Sequence, residues 1–215
     1  MASGTCARPL VIDAEVYTSI IDPLDRDTAV IFGDGAGAAV VGSVPPPGGI
    51  VDFDLSSRGD ASHLIRVEAG GSRRPTTHET VDAGQHFFRM EGRGVRDFVM
   101  EHVPPVLEKL AARNGMRLDE IDHFVPHQAN GVLLTELIDR AGLTGAQVPR
   151  TLERYGNIGS ASVPVALDEV NRSGRLRPGD LVLLAGFGGG MSIGAGLLRW
   201  CGAPSAVDGH GPVAI

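Results

Sequence analysis

The stretch Leu181–Trp200, "LVLLAGFGGGMSIGAGLLRW", decides the fold. Its first seven residues, "LVLLAGF", are apolar without alternation, the pattern of a strand buried on both faces. "GGGMS" then offers backbone almost free of side chains, and Ile193–Trp200 reads as a last strand returning through the same sheet. Upstream, Ser160–Val170 is a helical stretch with Ser160 as candidate cap and Gly174 as stop. Ile121–Pro126 reads as a strand, followed by a helix over Leu133–Ile138 that Gly142 ends. From Val95, residues Phe98, Val99, Val103, Val106, Leu107 and Leu110 keep helical spacing as far as Gly115. Pro104 and Pro105 each remove a backbone donor and are expected to kink or divide that helix.

Nearer the N-terminus, "LVIDAEV" (Leu10–Val16) reads as a buried strand. Thr28–Phe32 and Ala38–Val41 read as two strand segments about the turn "GDGAG". "VPPPGG" at 44–49 is a stiff run followed by flexible glycines, a connection between two halves, after which Ile50–Leu55 starts a new strand. Residues 57–85 are polar, with Gly70, Gly71, Arg73, Arg74 and Pro75, and are expected to form a long surface loop. Strands alternating with helices, closed by a pair of strands, give a mixed α/β sheet covered by helices. The division that follows is 1–44, 45–200 and a loose small-residue tail over 201–215.

The totals agree with a globular chain. At 215 residues, 42% hydrophobic and 21% charged, it can bury a sizeable core and is not composed like a disordered segment. A net charge of −7 argues against a nucleic-acid-binding surface, which needs clustered Lys and Arg. No apolar run approaches a membrane span, and "MASGTCARPL" lacks the pattern of a signal peptide, so a cytoplasmic location is expected. Cys6 and Cys201 show no metal-type spacing, and neither a disulfide nor structural zinc is expected.

Three constellations carry chemistry. "HFVPHQAN" (123–130) brings an imidazole to the end of a strand and surrounds it with neutral amides. His127 there is either a working base or hydrogen-bond donor, or a core histidine with satisfied bonds. "RYGNIGSAS" (154–162) sets Asn157 between glycines just before a helix, where its carboxamide is a neutral donor suited to a developing oxyanion. The two residues each stand at a strand-to-helix passage and can face one cleft. "GFGGGMSIG" (186–194) ends a buried strand in bare backbone, where a peptide N–H can approach a substrate carbonyl. "FGDGAGAAVVG" (32–42) is not a dinucleotide fingerprint: its glycine spacing is wrong and a strand, not a helix, follows. Its glycines are read as permitting close packing of two backbone layers.

Together, "FGDGAGAAVVG", "PHQAN", "YGNIGSASVPVALDE" and "LVLLAGFGGGMSIGAGLLRW", in this order, resemble the C-terminal part of the β-ketoacyl-acyl-carrier-protein synthase III family of thiolase-fold condensing enzymes. The resemblance runs from about Leu10 to Trp200. It implies a thiolase-like layered mixed sheet with covering helices, here one complete half plus the last strands of the other. It also implies a Cys–His–Asn site that loads an acyl group from a thioester and condenses it with malonyl thioester after loss of CO2. By motif, His127 and Asn157 match the catalytic histidine and asparagine, Gly189 the oxyanion-hole glycine, and Phe187 the phenylalanine over the malonyl site. Arg26 in "DPLDR" matches an arginine that stacks on the coenzyme A adenine, and Gly92 in "RMEGRG" a glycine near the pantetheine arm. No cofactor is implied beyond the thioester substrates.

Two departures stand out. The family nucleophile lies on a helix well before the strand at Leu10–Val16, and neither Cys6 nor Cys201 is placed to supply it. The chain is therefore expected to be the second part of such an enzyme, joined by a missing half or a homodimer partner, with an exposed apolar face and poor solubility when alone. The arginine two residues after the family's "HQAN" motif, part of a carrier-protein docking patch, is here Val132. Arg93, Arg96 and Arg140 are the candidate substitutes, and a coenzyme A thioester or a specialised carrier protein are both open as donors. His63, His78, His86, His102 and His210 are read as surface residues. A non-condensing acyltransferase of the same fold, or a non-catalytic scaffold or dimerisation fragment, are the alternative functions.

Overall fold

The computed structural model describes residues 6–202; the expected tail lies mostly outside the described residues. The chain runs β1 (Leu10–Val16), α1 (Arg26–Ala29), β2 (Asp34–Val40), β3 (Gly49–Ser57), β4 (Ile65–Val67), α2 (His78–Asp82), β5 (Phe88–Met90), α3 (Gly92–Arg113), β6 (His123–Pro126), α4 (Gly131–Arg140), α5 (Leu152–Tyr155), α6 (Ser162–Arg172), β7 (Leu181–Gly188) and β8 (Ser192–Arg199). The main sheet has the order β3-β8-β7-β6. Strand β6 joins β7 in parallel, while β7 with β8 and β8 with β3 are antiparallel. Separate antiparallel pairs form from β1 with β2 and from β4 with β5.

The fold-deciding stretch behaves as its sequence demands. Strands β7 and β8 are a hairpin with Leu181 opposite Arg199 and Gly188 opposite Ser192. Val182, Leu183, Ala185 and Leu197 are shut off from solvent because helices cover both faces of these central strands. On one face α3 and α4 pack Val99, Val103, Leu107, Leu110, Leu134 and Leu137 against Leu183, Ala185 and Leu197. On the other, α6 brings Ala166 and Val170 against Val125 and Val182.

Several expectations are corrected. Helix α3 is not divided: it runs from Gly92 to Arg113 with Pro104 and Pro105 inside it. Pro104 leaves the Met100 carbonyl without its helical donor, and the Nε–H of Arg140 donates to that oxygen instead, at 3.0 Å. The Glu101 carbonyl, which Pro105 leaves free, belongs to an exposed residue. "GDGAG" is not a turn: Asp34–Gly37 lie within β2 with Gly33 just before it, and Thr28 sits on α1. The close-packing reading of its glycines holds, since a Cβ on Gly35 would stand 2.8 Å from Ile158 Cδ1 and one on Gly37 would stand 2.7 Å from Pro164 Cγ.

Residues 57–85 are not simply a surface loop. They contain β4, α2 and a 3₁₀ turn at Gly59–Leu64, and they bury Leu64, Ala69 and Thr80. Ser160 does not cap α6; its hydroxyl donates to Glu15 Oε1 at 2.7 Å. Strand β1 forms as read but is not buried: Leu10, Val11, Ile12 and Val16 are exposed, because β1 pairs only with β2 and nothing among the described residues covers its outer face.

Candidate active site

Strand β6 ends at Pro126, and the ladder runs one step further, with His127 N–H donating to Ala185 O at 2.7 Å. The imidazole is thus set at the C-terminal edge of the sheet, where ligand crevices of α/β sheets form. The three polar residues after the strand divide the labour. Gln128, fully buried, donates from Nε2 to Pro126 O and Pro149 O and accepts from Thr151 N–H, so its amide clamps the turn. Asn130 caps α4, its side chain accepting from Leu133 N–H at 2.8 Å. His127 alone of the three lines a cavity. The core histidine of "HFVPHQAN" is instead His123, 1% exposed, with Nε2 at 3.1 Å from Asp180 Oδ2 and Nδ1 buried without a partner.

Asn157 reaches the same cavity from a different crossing. Its backbone is held to the segment before β2, donating to Ile31 O at 2.9 Å and accepting from Gly33 N–H at 3.0 Å. Its side chain is fixed in orientation: Oδ1 accepts from Gly159 N–H at 3.0 Å and Nδ2 donates to Ala129 O at 3.2 Å. An amide nitrogen carries two hydrogens, so a second remains for a guest. Gly159 permits this turn with φ +57°, and a Cβ there would stand 2.6 Å from the Tyr17 ring.

The cavity measures about 550 Å³ and is lined by His127 and Asn157 together with Phe187 and Gly189. Phe187 stands edge-on to the His127 ring, centroids 5.3 Å apart. Burial pushes His127 down to about 4, so its imidazole is neutral near pH 7; hydrogen bonding at Gly159 and the charge of Glu15 oppose this only in part. Of the six motif-matched residues, four therefore meet. Arg26 and Gly92 do not line the cavity: Arg26 is exposed in the first turn of α1, and Gly92 opens α3 at the surface, two residues after the cavity residue Met90.

Sequence reading missed the wall that β1 supplies. Asp13 and Glu15 line the cavity, joined by Tyr17 just past the strand's end, and the spacing of two between the strand residues was the signal, since alternate residues of a strand share a face. Tyr17, Phe32 and Phe88 form an aromatic group with centroids 4.8, 5.6 and 5.0 Å apart. Burial, then Glu15, raises the Tyr17 phenol above its usual range. Cys6 and Cys201 are exposed and do not line the cavity. The proposed substitute arginines are largely engaged: Arg96 pairs with Glu136 and Asp97, and Arg140 serves Met100, which leaves Arg93. His86 departs from its surface reading, since its Nδ1 is buried without a partner; His210 lies outside the described residues.

The model for the 3-oxoacyl-[acyl-carrier-protein] synthase III C-terminal region matches residues 111–200, and the 3-oxoacyl-[acyl-carrier-protein] synthase III model matches residues 1–59. Acetoacetyl CoA synthase NphT7 of Streptomyces sp. (strain CL190) is 48% identical over 193 residues, covering 89% of this chain and 59% of that protein. The β-ketoacyl-[acyl-carrier-protein] synthase III of Natranaerobius thermophilus is 39% identical, covering 93% and 62%. The chain thus spans about 60% of the length of these relatives. The crystal structure of the synthase III from Thermus thermophilus superposes with a TM-score of 0.83 at 35% identity, covering 94% of this chain and 62% of that one. A priming β-ketosynthase from the R1128 polyketide pathway gives 0.82 at 33%, covering 94% and 60%. The fold is thiolase-like, and with two models named for one enzyme matching either side of the central region, the chain belongs to the 3-oxoacyl-[acyl-carrier-protein] synthase III family.

Proposed function

We propose that the cavity is where a malonyl thioester loses CO2 and its enolate is held for condensation with an acyl thioester. The observation that carries this reading is the convergence of His127 and Asn157, from separate crossings, on one cavity with Phe187 and Gly189. Decarboxylation moves negative charge onto the thioester oxygen. A site that fixes a neutral amide donor beside an imidazole able to take up a proton, in a cavity lined largely by apolar groups, stabilises that charge more than it stabilises the starting thioester. A carboxamide at position 157, where general-base chemistry would use a carboxylate, favours condensation over acyl transfer to an alcohol or amine.

A coenzyme A thioester suits this chain better than a carrier protein. Position 132 is an exposed valine, and Arg96 and Arg140 are already committed within the molecule. The 48% identical relative is named as an acetoacetyl CoA synthase, which points the same way. Arg26 is assigned to the adenine and Gly92 to the pantetheine arm on the family motif alone. The acyl-accepting thiol is outside this assignment, because neither cysteine lines the cavity. That observation also favours a second reading, a scaffold or dimer partner without chemistry of its own.

Release of labelled CO2 from malonyl coenzyme A by the full chain decides between them. The condensing reading expects release above the uncatalysed rate, reduced at least tenfold by His127→Ala and by Asn157→Ala. No release above the uncatalysed rate establishes the scaffold reading, and release equal to wild type from both variants removes His127 and Asn157 from the chemistry.

A further inference from the structure

Ser162 is fully buried, and its hydroxyl oxygen has three neighbours at hydrogen-bond distance: Gly159 O at 2.7 Å, His127 Nδ1 at 2.8 Å and Gln128 N at 3.2 Å. A hydroxyl has one hydrogen to give and two lone pairs with which to accept. The Gln128 amide brings its own hydrogen. The Gly159 carbonyl has none, and two oxygens 2.7 Å apart repel unless a hydrogen lies between them, so the Ser162 hydrogen sits on that edge. The remaining edge, to Nδ1, then has to be bridged by a hydrogen on the ring.

We propose that Ser162 is a positioning residue that holds neutral His127 as the Nδ1–H tautomer, so that Nε2 presents a lone pair to the cavity. With this assignment the hydroxyl gives one hydrogen bond and accepts two, and every one of its sites is used. Nε2 has no hydrogen-bond partner among the described residues, while His127 lines the cavity. The first contact His127 makes with a guest is therefore as an acceptor, suited to a thiol or another N–H or O–H group. On the condensing reading above, on which only this consequence rests, His127 can hold an enolate oxygen only after a proton has reached Nε2, whereas Asn157 offers its free amide hydrogen at once.

The tautomer is readable without substrate, so its failure and that of the condensing reading are separate results. Long-range proton–nitrogen correlation spectra of the ¹⁵N-labelled full chain at pH 7, with His127 assigned by its loss in His127→Gln, distinguish a protonated Nδ1 from a protonated Nε2. The wild-type chain is expected to show protonated Nδ1 and bare Nε2. Ser162→Ala is expected to shift the ring toward Nε2–H, the form free imidazoles favour, and Ser162→Thr, which keeps the hydroxyl, to restore the wild-type pattern. Nε2–H in the wild-type chain overturns the assignment, as does an unchanged ring in a folded Ser162→Ala. If Ser162→Ala does not fold, the wild-type and Ser162→Thr spectra decide.

Discussion

Arg140 Nε stands 3.0 Å from the carbonyl oxygen of Met100, the acceptor that Pro104 deprives of its helical donor. Met100 is buried, so water is a poor substitute for that donor. The contact crosses from α4 to α3 and joins the two helices that cover one face of the sheet. Arg140→Ala is expected to cost about 1–2 kcal/mol, the penalty of a largely buried unsatisfied carbonyl, read as a lower denaturant midpoint. Arg140→Leu, which keeps apolar packing but not the donor, should lose a similar amount. A midpoint unchanged in both would mean the carbonyl is satisfied otherwise.

The same pair shows where sequence reading stops. Pattern and composition revealed α3 through its spaced apolar residues, and the β7–β8 hairpin through an apolar run, glycines and a second run. Neither reveals that a residue 40 positions away repairs a proline defect, because that donor is supplied by tertiary packing. Likewise Leu10–Val16 carries the composition of a buried strand, but burial depends on what lies opposite, and β1 has only β2. At the site, His127 and Asn157 were legible through their motifs, although only His127 follows a strand; Asn157 lies between α5 and α6, bridged to Phe32, and not at the expected strand-to-helix passage. Ser162 was not legible, since one serine in "GSAS" looks like another until coordinates show which one meets the imidazole.

Gly37 of β2 packs directly against Pro164 of α6. A Cβ added there would lie 2.7 and 2.9 Å from two ring carbons of Pro164. Proline cannot yield by rotating a side chain, so the helix itself must move. Gly37→Ala is expected to destabilise by roughly 1–3 kcal/mol, the usual cost of overpacking. Gly42→Ala is the control, because nothing lies within 4 Å of its added methyl. Equal thermal midpoints for the two variants would contradict the packing described.

Burial of His127 makes stability depend on pH with a definite sign. Its folded value is about 4, below the ordinary 6.5, so the unfolded chain binds the proton more readily. Stability is expected to be fully present above pH 6.5, to fall as pH drops toward 4, and to lose no more from this group below that. The integrated effect is up to about 3 kcal/mol, an upper bound because the ring is not wholly shielded from solvent. Denaturant midpoints at pH 7 and pH 4.5 measure it, and His127→Gln should lose less stability across that interval than the wild-type chain. Identical pH dependence in the two would show that the imidazole titrates at its ordinary value.

Strand β3 is the outer strand of the main sheet, with one edge unpaired among the described residues. On it Phe53 is 61% and Leu55 73% exposed, and Leu10, Ile12 and Val40 on the β1–β2 pair are exposed as well. Apolar side chains on an open strand edge invite pairing with another chain. The isolated chain is therefore expected to associate, showing concentration-dependent species in sedimentation velocity at micromolar protein. Phe53→Lys with Leu55→Lys should shift the distribution toward monomer, because desolvating two ammonium groups opposes contact at that strand. Both side chains are already exposed to solvent, so the folded chain itself should lose little by the exchange. A single monomeric species with a cooperative melt in the wild-type chain would show that these exposed strands need no partner.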